Sequence, residues 1–261
     1  MILRGKEFKR GYERLVEEEN KDIKMDFGML TLAKGDLFVF TEAKECIFTL
    51  LSGEVNFKYD GKSEDALRNS CFHENPIVLH VPQNTKVEIT ALSAKAEVIV
   101  QATKNEKSFE SKLYRTEDLL CPTEMRGEGS MNEASTRIVR TFFDRSTCPE
   151  TNFFIGEVVS FPGKWSSYPP HAHVEPEIYF YRFLPDNGYG FAEMGDDAYK
   201  VRNNDLTGMP GNVTHSQSTA PGYAEYYLWV IRLQDDENMV TNVVKEHAWV
   251  AEENAKYFPE I

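Results

Sequence analysis

Short runs of aromatic and β-branched residues alternate along this chain with clusters of Gly, Pro, Asn and Asp. One set lies at 36–41 (DLFVFT), 46–51 (CIFTLL), 54–59 (EVNFKY), 76–82 (PIVLHVP), 86–92 (KVEITAL) and 96–102 (AEVIVQA). A second lies at 153–161 (FFIGEVVSF), 177–184 (EIYFYRFL), 189–194 (YGFAEM) and 225–233 (EYYLWVIRL). Such side chains fit a pleated, half-buried surface, and short strands punctuated by turn residues predict an all-β sandwich or barrel. Helix is expected at the edges, over 9–21, 116–121 and 245–258. No regular alternation of strand and helix is present, which disfavours Rossmann and TIM architectures.

The polar stretch 104–137 reads as a connection between two β halves, an N-terminal half over 1–120 and a C-terminal half over 121–261. The halves resemble each other. VPQNTKVEITA (81–91) parallels MPGNVTHSQSTA (209–220), each a proline, a polar turn and a strand-like stretch. CIFTLLSGEVNF (46–57) likewise parallels EIYFYRFLPDNGYGF (177–191). Two copies of one small antiparallel barrel account for this pattern.

Charge narrows the partners. Against 29 Lys and Arg stand 42 Asp and Glu, a formal net charge of −13. Such a surface repels phosphate backbones and anionic lipid, so neither nucleic acid nor a membrane is expected as partner. The opening MILRGKEFKRGYERLVEEEN has no apolar leader segment, and YYLWVI (226–231) is far too short to cross a bilayer. Cys46, Cys71, Cys121 and Cys148 form no CxxC pair, so reduced thiols and a cytoplasmic location are expected.

Candidate chemistry collects in PPHAHVEPEIYFYR (169–182). His171 and His173 are two residues apart and share one face of a strand. Pro176 interrupts a ladder, and a turn over 174–176 lets Glu177 open the next strand beside the histidines. His215, after the turn Pro210-Gly211-Asn212, supplies a fourth ligand from another strand. Glu175 shares strand parity with both histidines and is the rival carboxylate. Three imidazoles and one carboxylate suit one divalent ion: Zn, Mn, Fe, Ni or Co. GYGFAEMG (188–195) has the wrong spacing for a dinucleotide fingerprint. His73 and His80 are read as structural, and His247 as a surface residue.

HAHVEPE followed by PGNVTH resembles the two metal-binding motifs of the cupin superfamily, and the paired halves resemble a bicupin. FIGEVVSFPGKWSSYPPHAH (154–173), EIYFYRFLPDNGYGF (177–191), PGYAEYYLWVIR (221–232) and MRGEGS with RIVR (125–140) are similar to the 5-deoxy-glucuronate isomerase family of myo-inositol catabolism. The similarity is strong over 125–232 and weaker over the N-terminal half. It implies an all-β duplicated cupin, a double antiparallel β-barrel or jelly roll with short peripheral helices, whose metal ligands are His171, His173, Glu177 and His215. Zn or Mn is the expected ion. Two departures stand out. The stretch between the second histidine and the glutamate is shorter than the family pattern and bears on substrate choice, and MPGNVTH replaces the usual turn. In the N-terminal half Cys46 falls near the place of Glu177 and Val87 near that of His215, so that half is expected to be a scaffold without metal.

The implied activity converts 5-deoxy-D-glucuronate, or a close uronate, to 2-deoxy-5-keto-D-gluconate. A divalent ion holds adjacent carbonyl and hydroxyl oxygens and stabilises enediolate charge. The catalytic base is left open, as is subunit assembly. A sugar-acid carboxylate calls for an arginine clamp, for which Arg126, Arg137 and Arg182 are candidates. Lys164, Tyr179, Tyr181, Tyr189 and Tyr227 are candidate cavity residues, Tyr179 and Tyr181 sharing the face of Glu177. Two other functions compete on the same ligand set: a metal-dependent dioxygenase and a non-catalytic sugar-acid-binding cupin.

Overall fold

The computed structural model describes residues 1–234 and 239–260. Two compact units divide the chain: one holds Lys6–Pro122 with Arg140–Gly156, the other Met1–Gly5, Thr123–Val139 and Glu157–Ile261.

In the first unit the sheet order is Lys112–Tyr114, Ile77–Val81, Glu45–Tyr59, Lys95–Thr103, Asp26–Ala33 and Gly11–Val16, all antiparallel. The stretches 46–51 and 54–59, read in the sequence as two strands, are one strand, Glu45–Tyr59. Its first part pairs with Ile77–Val81 and Lys95–Thr103, its second with Lys62–Arg68 and Val87–Ala91. Gly53 makes that change of partner feasible. Its φ is +99°, and a Cβ there would lie 2.4 Å from the Lys95 carbonyl oxygen. The strand thereby turns a corner and wraps a core of Phe48, Phe57, Leu79, Ile89, Val98 and Val100.

The helix expected over 9–21 is absent; residues 11–16 form the strand Gly11–Val16, with Tyr12 opposite Leu30. Tertiary packing overrides the helix-forming composition, because the Tyr12 ring lies 5.6 Å from that of Phe38 and 6.3 Å from that of Phe40. The other two helical stretches shorten to 3₁₀ turns at Thr116–Asp118 and Lys245–Ala251.

A buried carboxylate organises one end of this unit. Glu45 accepts from His80 Nε2 (2.7 Å) and Thr151 Oγ1 (2.5 Å) on one oxygen. Its other oxygen accepts from Asn105 Nδ2 (2.7 Å) and the Asn152 amide (2.9 Å). The His80 ring is stacked 4.3 Å from Phe143 and lies 4.5 Å from Phe109. His80 is thus a structural group.

In the second unit one sheet runs Ile2–Leu3, Leu206–Met209, Glu177–Leu184, Ala224–Arg232, and then residues 157–160, 137–139 and 123–126 of three further strands. The opposing sheet runs Asp197–Arg202, Tyr189–Met194, His215–Thr219, Trp165–Ala172, Asn242–Val243. Register fixes the inner face. Tyr179 is opposite Thr207 and Trp229, Tyr181 opposite Tyr227, and Phe183 opposite Glu225. Paired residues point to the same side of a sheet, so Glu177, Tyr179, Tyr181, Tyr227 and Glu225 line one interior. Among the described residues no helix is long and apolar enough to cross a membrane.

Burial pushes the Glu45 carboxyl up, but the His80 hydrogen bond and charge, with Thr151 and Asn152, hold it below its ordinary value. Its stabilisation is therefore present above the unfolded carboxyl range near 4.5 and is lost as pH falls through the lower folded value. Glu45→Ala strands four buried donors and should cost roughly 3–5 kcal/mol. In denaturant titrations the deficit against wild type is expected to be full at pH 7 and to narrow below pH 4.5; an unchanged midpoint at pH 7 would refute this role.

Candidate metal centre

Each ligand candidate sits at or beside a strand end, His171 as the penultimate residue of Trp165–Ala172. Trp165–Ala172 stops one residue before His173, and Glu177 and His215 are the first residues of their strands. The proline-bounded turn between His173 and Glu177 makes this convergence: the Arg232 amide donates to the Pro176 carbonyl (3.0 Å), seating Glu177 at the strand edge. A second turn meets the first. The Asn212 amide donates to the His173 carbonyl (2.6 Å), and a Cβ on Gly211 would lie 1.9 Å from the Val174 carbonyl oxygen. Glycine is required there because two backbones touch.

The three side chains converge on one oxygen. Glu177 Oε2 is 3.0 Å from His173 Nε2 and 3.3 Å from His215 Nε2. One ligand atom from each of His173, Glu177 and His215 lies within 4.8 Å of the others. The opposite ring nitrogens are fixed by backbone: His173 Nδ1 donates to the Glu175 carbonyl (2.9 Å) and His215 Nδ1 to the Val213 carbonyl (2.9 Å). His171 Nδ1 does the same toward Pro169 (3.1 Å). Fixing Nδ1–H leaves Nε2 to give its lone pair to a cation once His173 surrenders the proton it shares with Glu177. Buried His215 Nε2 has no hydrogen-bond partner among the described residues. This donor set fits a divalent ion.

His171 is half-buried and stands beside the group, its ring 4.6 Å from that of His215 and 6.5 Å from that of His173. Glu175 is buried, but its Oε2 is on the Nδ1 side of His173 at 3.7 Å, away from the converging nitrogens. Geometry therefore separates the two carboxylates: Glu177 faces the imidazole Nε2 atoms and Glu175 does not. Burial pushes Glu177 up, yet the His173 hydrogen bond and the His215 and His173 charges hold it below its ordinary value. His173, lowered by burial, is raised overall by Glu177, whereas burial leaves His215 below its ordinary value.

The remaining sequence candidates separate by strand parity. Tyr179, Tyr181 and Tyr227 are buried on the inner face; the Tyr179 ring is 6.0 Å from His215 and 5.1 Å from Tyr227. Arg182 has the opposite parity, beside the Phe180 ring at 5.4 Å, so it leaves the inner face. Tyr189 also faces outward. Gly190 and Ala192 are the buried positions of its strand, and Lys200 Nζ sits 3.8 Å over the Tyr189 ring. Lys164 lies in the turn before Trp165, where its carbonyl accepts from the Thr219 amide (2.9 Å). Arg126 is exposed and occupied by Glu124, at 3.0 and 2.6 Å. Arg137 alone of the three arginine candidates is buried, at 7% exposure.

The sequence reading passes over several residues. Ser167 Oγ is 3.3 Å from the Tyr227 hydroxyl. Tyr181 bridges Thr207 (2.9 Å) and Gln217 (3.0 Å) across the interior. Glu225, two residues before Tyr227 and therefore on the same face, accepts from Thr219 (2.6 Å) on one oxygen, while its buried Oε1 has no partner among the described residues. A charged residue in phase with buried tyrosines is the signal that could have found it. A cavity of about 320 Å³ is lined by Met131, Ala134, Ser135, Trp165, Tyr168, Val250 and Tyr257.

A model of the KduI/IolB family matches residues 2–250. A 5-deoxy-glucuronate isomerase of Geobacillus kaustophilus is 28% identical over 224 residues, 78% of this chain and 78% of that protein. An IolB-like protein from Salmonella typhimurium superposes with a TM-score of 0.84 at 20% identity, over 95% of this chain and 98% of that one. A cupin 2 conserved barrel domain protein from Leptotrichia buccalis superposes at TM-score 0.52 and 11% identity, over 88% and 92%. These likenesses establish the duplicated cupin fold.

Two predictions follow from the packing. Gly211→Ala must part the two turns, so it should lower Tm by several degrees and weaken divalent-ion binding at least tenfold by calorimetry; binding at the wild-type level would show that the contact is dispensable. Burial pushes the Glu225 carboxyl up to about 8. Folding then binds a proton between the ordinary range near 4.5 and about 8, so stability falls as pH rises through that window. Glu225→Gln should remove that slope, gaining on wild type by a few kcal/mol, to order of magnitude, between pH 5 and 8. Parallel curves for the two proteins would contradict it.

Proposed function

The chain belongs to the KduI/IolB family, and we propose that it is a metal-dependent aldose–ketose isomerase converting 5-deoxy-D-glucuronate, or a close uronate, to 2-deoxy-5-keto-D-gluconate. The observation that carries this reading is the convergence of two backbone-fixed imidazoles on the buried carboxylate Glu177. His173, Glu177 and His215 would hold the ion, with His171 beside them as the fourth ligand. A bound divalent cation, Zn or Mn, supplies Lewis acidity for adjacent carbonyl and hydroxyl oxygens as negative charge develops on them.

The chain's own residues divide the other tasks. Glu177, committed to the cluster, is not a free base. Burial pushes the Tyr227 hydroxyl up to about 12, so at neutral pH it stays protonated and donates a hydrogen bond to a substrate oxygen. Ser167, 3.3 Å away, orients it. The aromatic inner face limits water around the reacting carbons, which strengthens every polar contact made there. The substrate is a small sugar acid met in the cytoplasm, in keeping with the acidic surface and the named relatives.

The test is NMR of 5-deoxy-glucuronate in D₂O with metal-loaded protein and with a chelated control. Ketose should form with the metal and cease with the chelator. Glu177→Gln and His173→Ala should each reduce bound metal and lower the rate at least a hundredfold. Folded, metal-loaded protein that leaves the aldose unchanged would overturn the substrate assignment, and oxygen uptake with Fe(II) would replace it by oxidative chemistry.

A further inference from the structure

Arg137 carries a positive charge that no carboxylate among the described residues pairs with directly. It is 7% exposed. Its Nη1 is tied down by the Ser135 carbonyl (2.6 Å) and hydroxyl (2.8 Å), and Ser135 Oγ is itself held to the Trp165 carbonyl (3.1 Å). The opposite edge, Nε with Nη2, has no acceptor among the described residues. That is the edge with which Arg126 grips Glu124 and Arg10 grips Asp36. Glu124 acts on Arg137 only at longer range and is already engaged by Arg126, whose own charge opposes that of Arg137.

A buried guanidinium without an anion is costly, and cores retain one where a ligand supplies the charge. The position is suited to this. Arg137 lies close enough to Tyr227 for each to act on the other's charge, and the Tyr227 ring abuts Tyr179, next to His215. Ser135, which orients the guanidinium, also lines the 320 Å³ cavity with Trp165 and Tyr168. The planar fork matches a carboxylate bidentately, as an ammonium group does not.

We infer that Arg137 is the carboxylate anchor of the site: its Nε–Nη2 edge receives the acid end of a sugar acid, and the aldehyde end extends past Tyr227 to the His173–Glu177–His215 cluster. This deepens the proposed function and rests on it for the identity of the reacting end, although the anchor needs only an acid ligand. Arg137 thereby selects aldoses that end in a carboxylate over those that end in an alcohol.

Metal-loaded wild type, Arg137→Ala and Arg137→Lys are titrated calorimetrically with 5-deoxy-glucuronate, D-glucuronate and 5-deoxy-glucose, and turnover of the first is followed by NMR. Wild type should bind at least one of the acids, and more tightly than 5-deoxy-glucose. Arg137→Ala should lose at least a hundredfold in acid affinity and less than threefold for the alcohol, at unchanged metal content. Arg137→Lys keeps the charge but not the fork, and should fold and lose about tenfold; it decides the matter if the alanine variant does not fold. Acid binding by the lysine variant at the wild-type level, equal losses for acid and alcohol, or wild type binding neither acid would each overturn the anchor. Arg137-dependent acid binding without turnover would uphold the anchor and defeat the isomerase reading instead.

Discussion

A carboxylate placed where water cannot reach it governs the second unit. Glu177 is 3% exposed, and an ionised group there is tolerable only when surrounded by donors. His173 Nε2 meets that need at 3.0 Å, and His215 Nε2 stands at 3.3 Å without a hydrogen bond; the two come from turns that press backbone against backbone at Val174 and Gly211. Each imidazole is in turn held by a carbonyl within two residues of it in the chain. Position, tautomer and charge are thus settled by short local hydrogen bonds, and the barrel's longer ladders only have to deliver the turns. In the interior beyond, the Tyr181 hydroxyl bonds to both Thr207 and Gln217, while Gln217 Nε2 has no partner among the described residues.

The two units handle buried carboxylates differently. Glu45 is saturated, with both oxygens accepting from side chains or backbone, and its neighbour His80 is clamped between phenyl rings. Such a network rigidifies and has no valence left for a ligand. Glu177 instead faces two imidazoles, one of which has an unpaired Nε2. The contrast matches the distribution of motifs, since the N-terminal half has no HxH.

Much of this was legible in the chain because a strand has a period of two. The parity of 177, 179 and 181 placed Glu177, Tyr179 and Tyr181 on one face, and the same count puts Arg182 on the other. Glu225 is in phase with Tyr227 and was passed over because a glutamate at a strand's start reads as solvated. Local composition failed where long-range pairing decided the outcome. The acid-rich stretch 9–21 is helix-like by residue type, but Tyr12 finds Phe38 and Phe40 and the backbone joins a sheet. The fusion of 46–51 with 54–59 depends on Gly53 nestling against Lys95, a contact between residues far apart in sequence. The difference between Arg126 and Arg137 is likewise tertiary: one meets a neighbouring glutamate in solvent, the other is enclosed.

The tail has a part in shaping the cavity. Asn242 and Val243 add a short strand beside Ala172 and His171, and the chain then runs through Val250 and Tyr257, which wall the space floored by Trp165 and Tyr168. The Tyr257 hydroxyl donates to the Val250 carbonyl (2.6 Å), so this wall closes on itself. Exchange of a few residues in this segment, which lies outside the barrel ladder, can therefore widen or narrow the chamber while the turns that carry His173, Glu177 and His215 stay as they are. Two chains with the same histidines and different tails would then differ in the volume of that chamber and agree in the turns beside it.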